Sequence, residues 1–107
     1  MDFTLTMRLR TPTAVLTAGG ELDVFTSQQL RERLQDAVDL GCSEIHLDLA
    51  AVTFADASAL RVIDRFQRQL YETGGVLRFI AWSPQVLRLC RMARLDDVFG
   101  LADPTPA

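Results

Sequence analysis

Residues 44–70, EIHLDLAAVTFADASALRVIDRFQRQL, decide the fold of this chain. Residues 44–49 predict a β-strand, and residues 50–54 are predicted to form the connection that follows it. After Asp56 the apolar residues recur at helical spacing, which predicts an amphipathic helix with its apolar stripe on Leu60, Ile63, Phe66 and Leu70. A strand that leads into a helix is the repeating unit of an α/β fold with parallel strands.

The segments on the amino-terminal side add a hairpin and a first helix. Residues 3–9 alternate apolar and polar side chains, which predicts a half-buried strand, and the apolar run 13–18 predicts the second arm of a hairpin. Thr26 and Ser27 are good N-cap residues for a helix that is predicted to end at Gly41. The hairpin therefore adds an antiparallel pair to an otherwise parallel sheet.

The segments on the carboxyl-terminal side repeat the strand-helix unit. Residues 76–81 predict a short buried strand, and Ser83 followed by Pro84 is a strong helix start. The order is β-β-α-β-α-β-α, which predicts a single small α/β domain with a mixed sheet of about four strands and helices mainly on one face. We assign residues 1–101 to this domain and residues 102–107 to a short disordered C-terminal tail.

The composition of the chain argues against several classes of function. The net charge of −3 argues against a protein that binds the nucleic-acid backbone directly. Apolar runs are too short to span a bilayer, and the N-terminus has no signal-peptide pattern, so we expect a cytoplasmic protein without membrane contact. Cys42 and Cys90 are expected to be reduced thiols, and with one histidine they are a poor zinc ligand set. No cofactor-binding motif is present, so we expect no cofactor.

Two loops are candidates for a functional site, residues 20–23 and residues 54–60. Both precede helices, and the carboxyl ends of parallel strands lie on one rim of a sheet, where binding sites collect. Ser58 is open to two interpretations, a helix N-cap or a hydroxyl presented to solvent, and Asp56 is itself a candidate N-cap. Ser58 lacks the GxSxG elbow of hydrolases, and His46 lies in a strand without a catalytic partner at a known spacing, so we expect no enzyme.

These segments resemble the STAS domain, and the most similar type is the bacterial anti-sigma-factor antagonist. The segments that carry the resemblance are Gly20-Glu21-Leu22-Asp23 with Thr26, Leu47-Asp48-Leu49, Val52-Thr53-Phe54 and Asp56-Ala57-Ser58-Ala59-Leu60. The resemblance covers almost the whole chain. The family's second loop usually reads Asp-Ser-Ser-Gly-Leu, and its second serine is phosphorylated by a partner that is both anti-sigma factor and ATP-dependent serine kinase.

The resemblance implies a role for each matching residue. Ser58 matches the phosphorylated serine, while Ala57 and Ala59 replace the first serine and the glycine of the family loop. Partner binding is thereby implied for Asp23, Thr26, Asp56, Ser58 and Ala59, where the Ala59 methyl group would stand close to an approaching partner.

The implied function is that of an anti-sigma-factor antagonist acting by partner switching. The unmodified protein would bind the anti-sigma serine kinase and release a sigma factor, and phosphorylation of Ser58 would end that binding and so regulate transcription. The alternative is an accessory STAS subunit that binds the ATPase of a lipid-trafficking ABC transporter, where the loop is no phosphate switch. We expect a monomer, with weak dimerisation as the alternative.

Overall fold

Four strands and three helices follow one another in the predicted order. The computed structural model describes residues 3–101. The elements are β1 (Thr4–Arg10), β2 (Thr13–Leu22), α1 (Thr26–Asp39), β3 (Glu44–Ala55), α2 (Ala57–Glu72), β4 (Val76–Trp82) and α3 (Pro84–Met92). The predicted α/β fold class and the order β-β-α-β-α-β-α are confirmed. The tail predicted at residues 102–107 lies outside the described residues.

The sheet has the strand order β1-β2-β3-β4, with β1 antiparallel to β2 and the other neighbours parallel. One row of side chains crosses all four strands, because Met7 pairs with Leu16, Leu16 with Leu47, and Leu47 with Phe79. This row lies in one hydrophobic core with the buried residues of all three helices. The helices therefore cover a single face of the sheet, as the sequence predicted.

The middle strands are longer than predicted, and the difference places the functional loops. Strand β2 continues through the two glycines to Leu22, and β3 continues through the predicted connection to Ala55. At Gly19 an added Cβ would lie 3.2 Å from the Cβ of Ala51, so glycine allows two strands to approach rather than ending one. Leu22 pairs with Ala55 at the end of both strands. Asp23 and Asp56 consequently leave the sheet at the same level.

Two of the helix ends, the start of α3 and the end of α1, lie where capping residues in the local sequence predict them. The hydroxyl of Ser83 accepts the N–H of Val86 at 3.3 Å, which confirms it as the N-cap of α3. Gly41 follows α1 with φ of +91°, a backbone conformation that favours glycine. Between residues 3 and 101, none of the helices combines the length and the apolar character that crossing a bilayer requires.

Candidate functional site

Asp23 organises the loop between β2 and α1. Its Oδ1 accepts the backbone N–H groups of Phe25 and Thr26, each at 2.9 Å. The Thr26 hydroxyl accepts the N–H of Asp23 at 2.8 Å and donates to the carbonyl oxygen of Glu21 at 2.7 Å. The N–H of Thr26 is the main cause that holds the pKa of the Asp23 carboxyl below its ordinary value of 3.8. Asp23 is therefore ionised at neutral pH and fixes the shape of its own loop.

This arrangement corrects the predicted start of α1. Phe25 occupies the N-cap position and makes no side-chain cap, so neither Thr26 nor Ser27 is the N-cap. The side chain of Asp23, two residues before Phe25, accepts the N–H groups of Phe25 and Thr26, so an aspartate turn leads into the helix in place of a side-chain cap. The sequence contained this signal, because aspartate commonly hydrogen-bonds the backbone two residues further on.

Asp56 is the N-cap of α2, which decides between the two interpretations of Ser58. The Asp56 Oδ1 accepts the backbone N–H of Ser58 at 2.9 Å and also accepts the Ser58 hydroxyl in a short hydrogen bond. The Asp56 N–H donates to the carbonyl oxygen of Leu22 at 3.2 Å, which joins the loop to the end of β2. Ser58 is the second residue of the helix and not its cap, so its hydroxyl is not used to satisfy the helix end.

The amino terminus of α1, which follows the first candidate loop, contacts the second loop through Ser27 and Ser58, whose hydroxyl oxygens are 3.2 Å apart. The Ser58 hydroxyl gives its only proton to Asp56, so its oxygen accepts the proton of Ser27. Ser27 is only 3% exposed, and its hydroxyl also lies 3.2 Å from the carbonyl oxygen of Val24. The prediction that both loops lie on one rim is confirmed. Sequence reasoning missed Ser27 as a site residue, although Ser27 and Ser58 are both the second residue of their helices.

The other loop residues differ in exposure. Ser58 and Asp56 are half-buried, and Ala57 is exposed. Ala59 is 0% exposed, so its methyl group packs in the core and is not on the surface that a partner meets. We correct the expectation on this point: the additional methyl of Ala59 packs into the hydrophobic core on the buried side of α2 and does not lie on the rim. Large apolar side chains are exposed on the same two loops, with Phe25 at 79%, Val24 at 53% and Phe54 at 49%.

Comparison with known proteins agrees with this geometry. The STAS domain family model matches residues 4–106, and the chain belongs to this family. It is 32% identical over 85 residues to an anti-sigma-B factor antagonist of Staphylococcus epidermidis, with 79% of this chain and 73% of that relative covered. It is 28% identical over 104 residues to an anti-sigma F factor antagonist of Paenibacillus polymyxa, with 96% of this chain and 89% of that relative covered.

Solved structures share the fold. An anti-sigma factor antagonist from Mycobacterium paratuberculosis has a TM-score of 0.77 at 23% identity, and the match covers 98% of this chain and 88% of the other. The Bacillus cell fate determinant SpoIIAA in its phosphorylated form has a TM-score of 0.71 at 23% identity, with 90% of this chain and 86% of that chain covered.

Proposed function

We propose that this protein is an anti-sigma-factor antagonist that binds an anti-sigma factor with serine kinase activity and is switched off by phosphorylation of Ser58. The relatives named above are anti-sigma-factor antagonists, which supports the first part. The second part rests on one observation: Ser27, Ser58 and Asp56 form a hydrogen-bonded chain that holds a half-buried serine hydroxyl on the rim. The protein acts in the cytoplasm as a monomer and is a substrate rather than an enzyme.

The rim offers a partner surface around this hydroxyl. Val24, Phe25 and Phe54 present apolar side chains, and Asp23 adds an ionised carboxylate. Specific protein interfaces typically bury aromatic side chains at their centre when the partner binds and keep charged groups at their border. Asp23 and Thr26 hold the first loop in shape while Asp56 holds the second, so these residues serve the interface by fixing the two loops.

On this chain, phosphoryl transfer needs only groups that are already on the rim, because the partner holds the ATP and the catalytic groups around it. The Ser58 Oγ attacks the γ-phosphorus, a new O–P bond forms, and the bond from that phosphorus to the β,γ-bridging oxygen breaks as ADP leaves. The hydroxyl proton passes to the Asp56 carboxylate, which already accepts its hydrogen bond. Asp56 thus orients the acceptor and receives its proton, while the partner supplies the catalyst.

The product changes the charge of the rim. A phosphoserine adds about −1.5 to −2 charges at neutral pH, next to the carboxylate of Asp56 and on the rim that carries Asp23. Its oxygen has no proton left to donate to Asp56. The fold accommodates this charge because the amino terminus of α2 carries a positive partial charge, and a partner fitted to the uncharged serine is repelled.

Intact-mass spectrometry of the purified protein after incubation with host lysate and ATP tests the proposal. We expect the mass of one phosphoryl group on the wild-type protein and on Ser27→Ala, which removes the neighbouring hydroxyl, and none on Ser58→Ala. If no phosphate appears on any form under growth, stress or stationary conditions, the proposal is wrong. The fixed interaction with the ATPase of a lipid-trafficking ABC transporter then becomes the function to test, because Ala57 and Ala59 depart from the family loop.

A further inference from the structure

A groove lined by arginines begins at Ser58 and runs between α1 and α2. It encloses about 260 Å³, with Ser27 and Ser58 among its lining residues. Arg31 from α1 and Arg61 and Arg65 from α2 also line it. The chain as a whole carries a net charge of −3, so three arginines around one groove form a local positive surface on an acidic protein.

These arginines have no acidic partner within the described part of the chain. Across residues 3–101, no carboxylate oxygen lies within 4.0 Å of the guanidinium nitrogens of Arg31, Arg61 or Arg65. Arg33 and Arg68, which lie outside this groove, do have such partners, at 3.7 Å from Asp36 and 3.2 Å from Asp64 respectively. The groove arginines are exposed and remain available to an anion.

Helix geometry directs them toward the Ser58 oxygen. Arg61 follows Ser58 by three residues, a spacing that places side chains about 5–6 Å apart on a helix surface. Arg31 follows Ser27 by four residues on α1, and the Ser27 hydroxyl lies 3.2 Å from that of Ser58. Side chains lean toward the amino terminus of their helix, so those of Arg61 and Arg31 lean toward the two serines.

We propose that Arg61 and Arg31 form a binding site for the phosphoryl group carried by Ser58, with Arg65 further along the same groove. The inference rests on the proposed function in that it takes Ser58 as the phosphoacceptor. Guanidinium groups bind phosphate oxygens through paired, charge-assisted hydrogen bonds. The Asp56 carboxylate repels the new dianion, whereas the groove attracts it.

The proposed site determines where the phosphoryl group lies in the phosphorylated protein. The phosphoryl group folds back over the groove and is held there, instead of standing free on the rim. Arg31 and Arg61 are then occupied by the protein's own phosphate and are lost to any partner that contacts them in the unmodified state. Phosphorylation therefore changes the charge both on the rim and along the groove, so the altered surface extends beyond Ser58 itself.

Phosphorus NMR of protein carrying phosphoserine at position 58 tests the site, and the residue is introduced during translation so that no kinase is needed. We expect the second pKa of the phosphate to lie below its ordinary value of about 6, and Arg61→Gln to raise it by at least about half a unit. Arg31→Gln should act in the same direction. Arg33→Gln is the matched control, because Arg33 lies on α1 outside the groove, and it should leave the pKa unchanged.

The variants all retain the other charges around the phosphate, namely Asp56, Asp23 and the amino terminus of α2, so differences between them report the arginines alone. A double variant, Arg31→Gln with Arg61→Gln, that titrates like the wild-type phosphoprotein would overturn the site. Backbone amide spectra of each variant verify the fold. Because this experiment needs no phosphoryl transfer, its failure leaves the lysate experiment unaffected, and failure of phosphorylation in lysate leaves the pKa comparison intact.

Discussion

Replacing Asp56 separates its contribution to stability from its contribution to function. Asp56→Ala removes the oxygen that accepts the Ser58 N–H at 2.9 Å and the Ser58 hydroxyl. Loss of an N-cap side chain costs about 1 kcal/mol, within a range of about 0.5–2 kcal/mol. For a chain of 107 residues the unfolding entropy is about 0.22 kcal/mol/K, from about 2.1 cal/mol/K per residue. The unfolding midpoint should therefore fall by about 4–5 °C for each kcal/mol lost.

Asp56→Asn is the matched variant, because asparagine caps a helix about as well as aspartate but carries no charge. We expect its thermal midpoint, followed by circular dichroism, to stay within about 2 °C of the wild type. Its Ser58 should be phosphorylated more slowly in host lysate, because the amide is no proton acceptor of comparable basicity. If Asp56→Asn is as unstable as Asp56→Ala, the capping role is refuted. If Asp56→Asn is phosphorylated at the wild-type rate, the role of the carboxylate in transfer is refuted.

Two further predictions follow from shifted pKa values. Hydrogen bonds, first of all from the N–H of Thr26, lower the pKa of Asp23 in the folded protein. Its stabilising effect is therefore present above the unfolded pKa near 3.8 and is lost as the pH falls through the folded value. In urea unfolding, the free energy of unfolding should fall more steeply with acid for the wild type than for Asp23→Asn, and parallel pH profiles would contradict this. Burial, with a smaller effect from Asp96, raises the pKa of the Cys90 thiol to about 11. Its contribution to stability is therefore complete below pH 9.0 and is lost as the pH rises toward 11. The folded protein should resist iodoacetamide at Cys90 near pH 8, and equal labelling of Cys90 in folded and unfolded protein, measured by peptide mapping, would contradict this prediction.

The element order could be predicted because each element carries a clear hydrophobic period. The alternation of residues 3–9 reappears as a half-buried face that extends to Met7, and the stripe on α2 reappears as a buried face. The strand ends could not be predicted, because Gly19 and Gly20 have the local signature of a turn. The role of Gly19, close approach of β2 to β3, depends on the Ala51 side chain across the sheet, and no local pattern contains that information.

The sequence predicts which residues carry the chemistry of the site, but not which side chains those residues contact. Asp56 and Ser58 stood out from their place before a helix, and the structure joins them by a hydrogen bond. The sequence predicts Ser27 only as a helix cap, because its partner Ser58 lies thirty-one residues away in sequence. The resemblance implies that Ala59 lies on the contact surface, yet helix periodicity turns it inward beside Leu60. Such contacts depend on strand register, which fixes the level at which both loops leave the sheet.

The most direct test of the central claim compares the affinity of the two forms for the anti-sigma factor that phosphorylates the protein in lysate. Calorimetric titration with unmodified protein and with protein carrying phosphoserine at position 58 gives both dissociation constants under one condition. Like charges brought together at an interface cost several kcal/mol, and about 1.4 kcal/mol is tenfold in affinity. We expect phosphorylated protein to bind at least about tenfold more weakly, and equal affinity of the two forms would contradict the account.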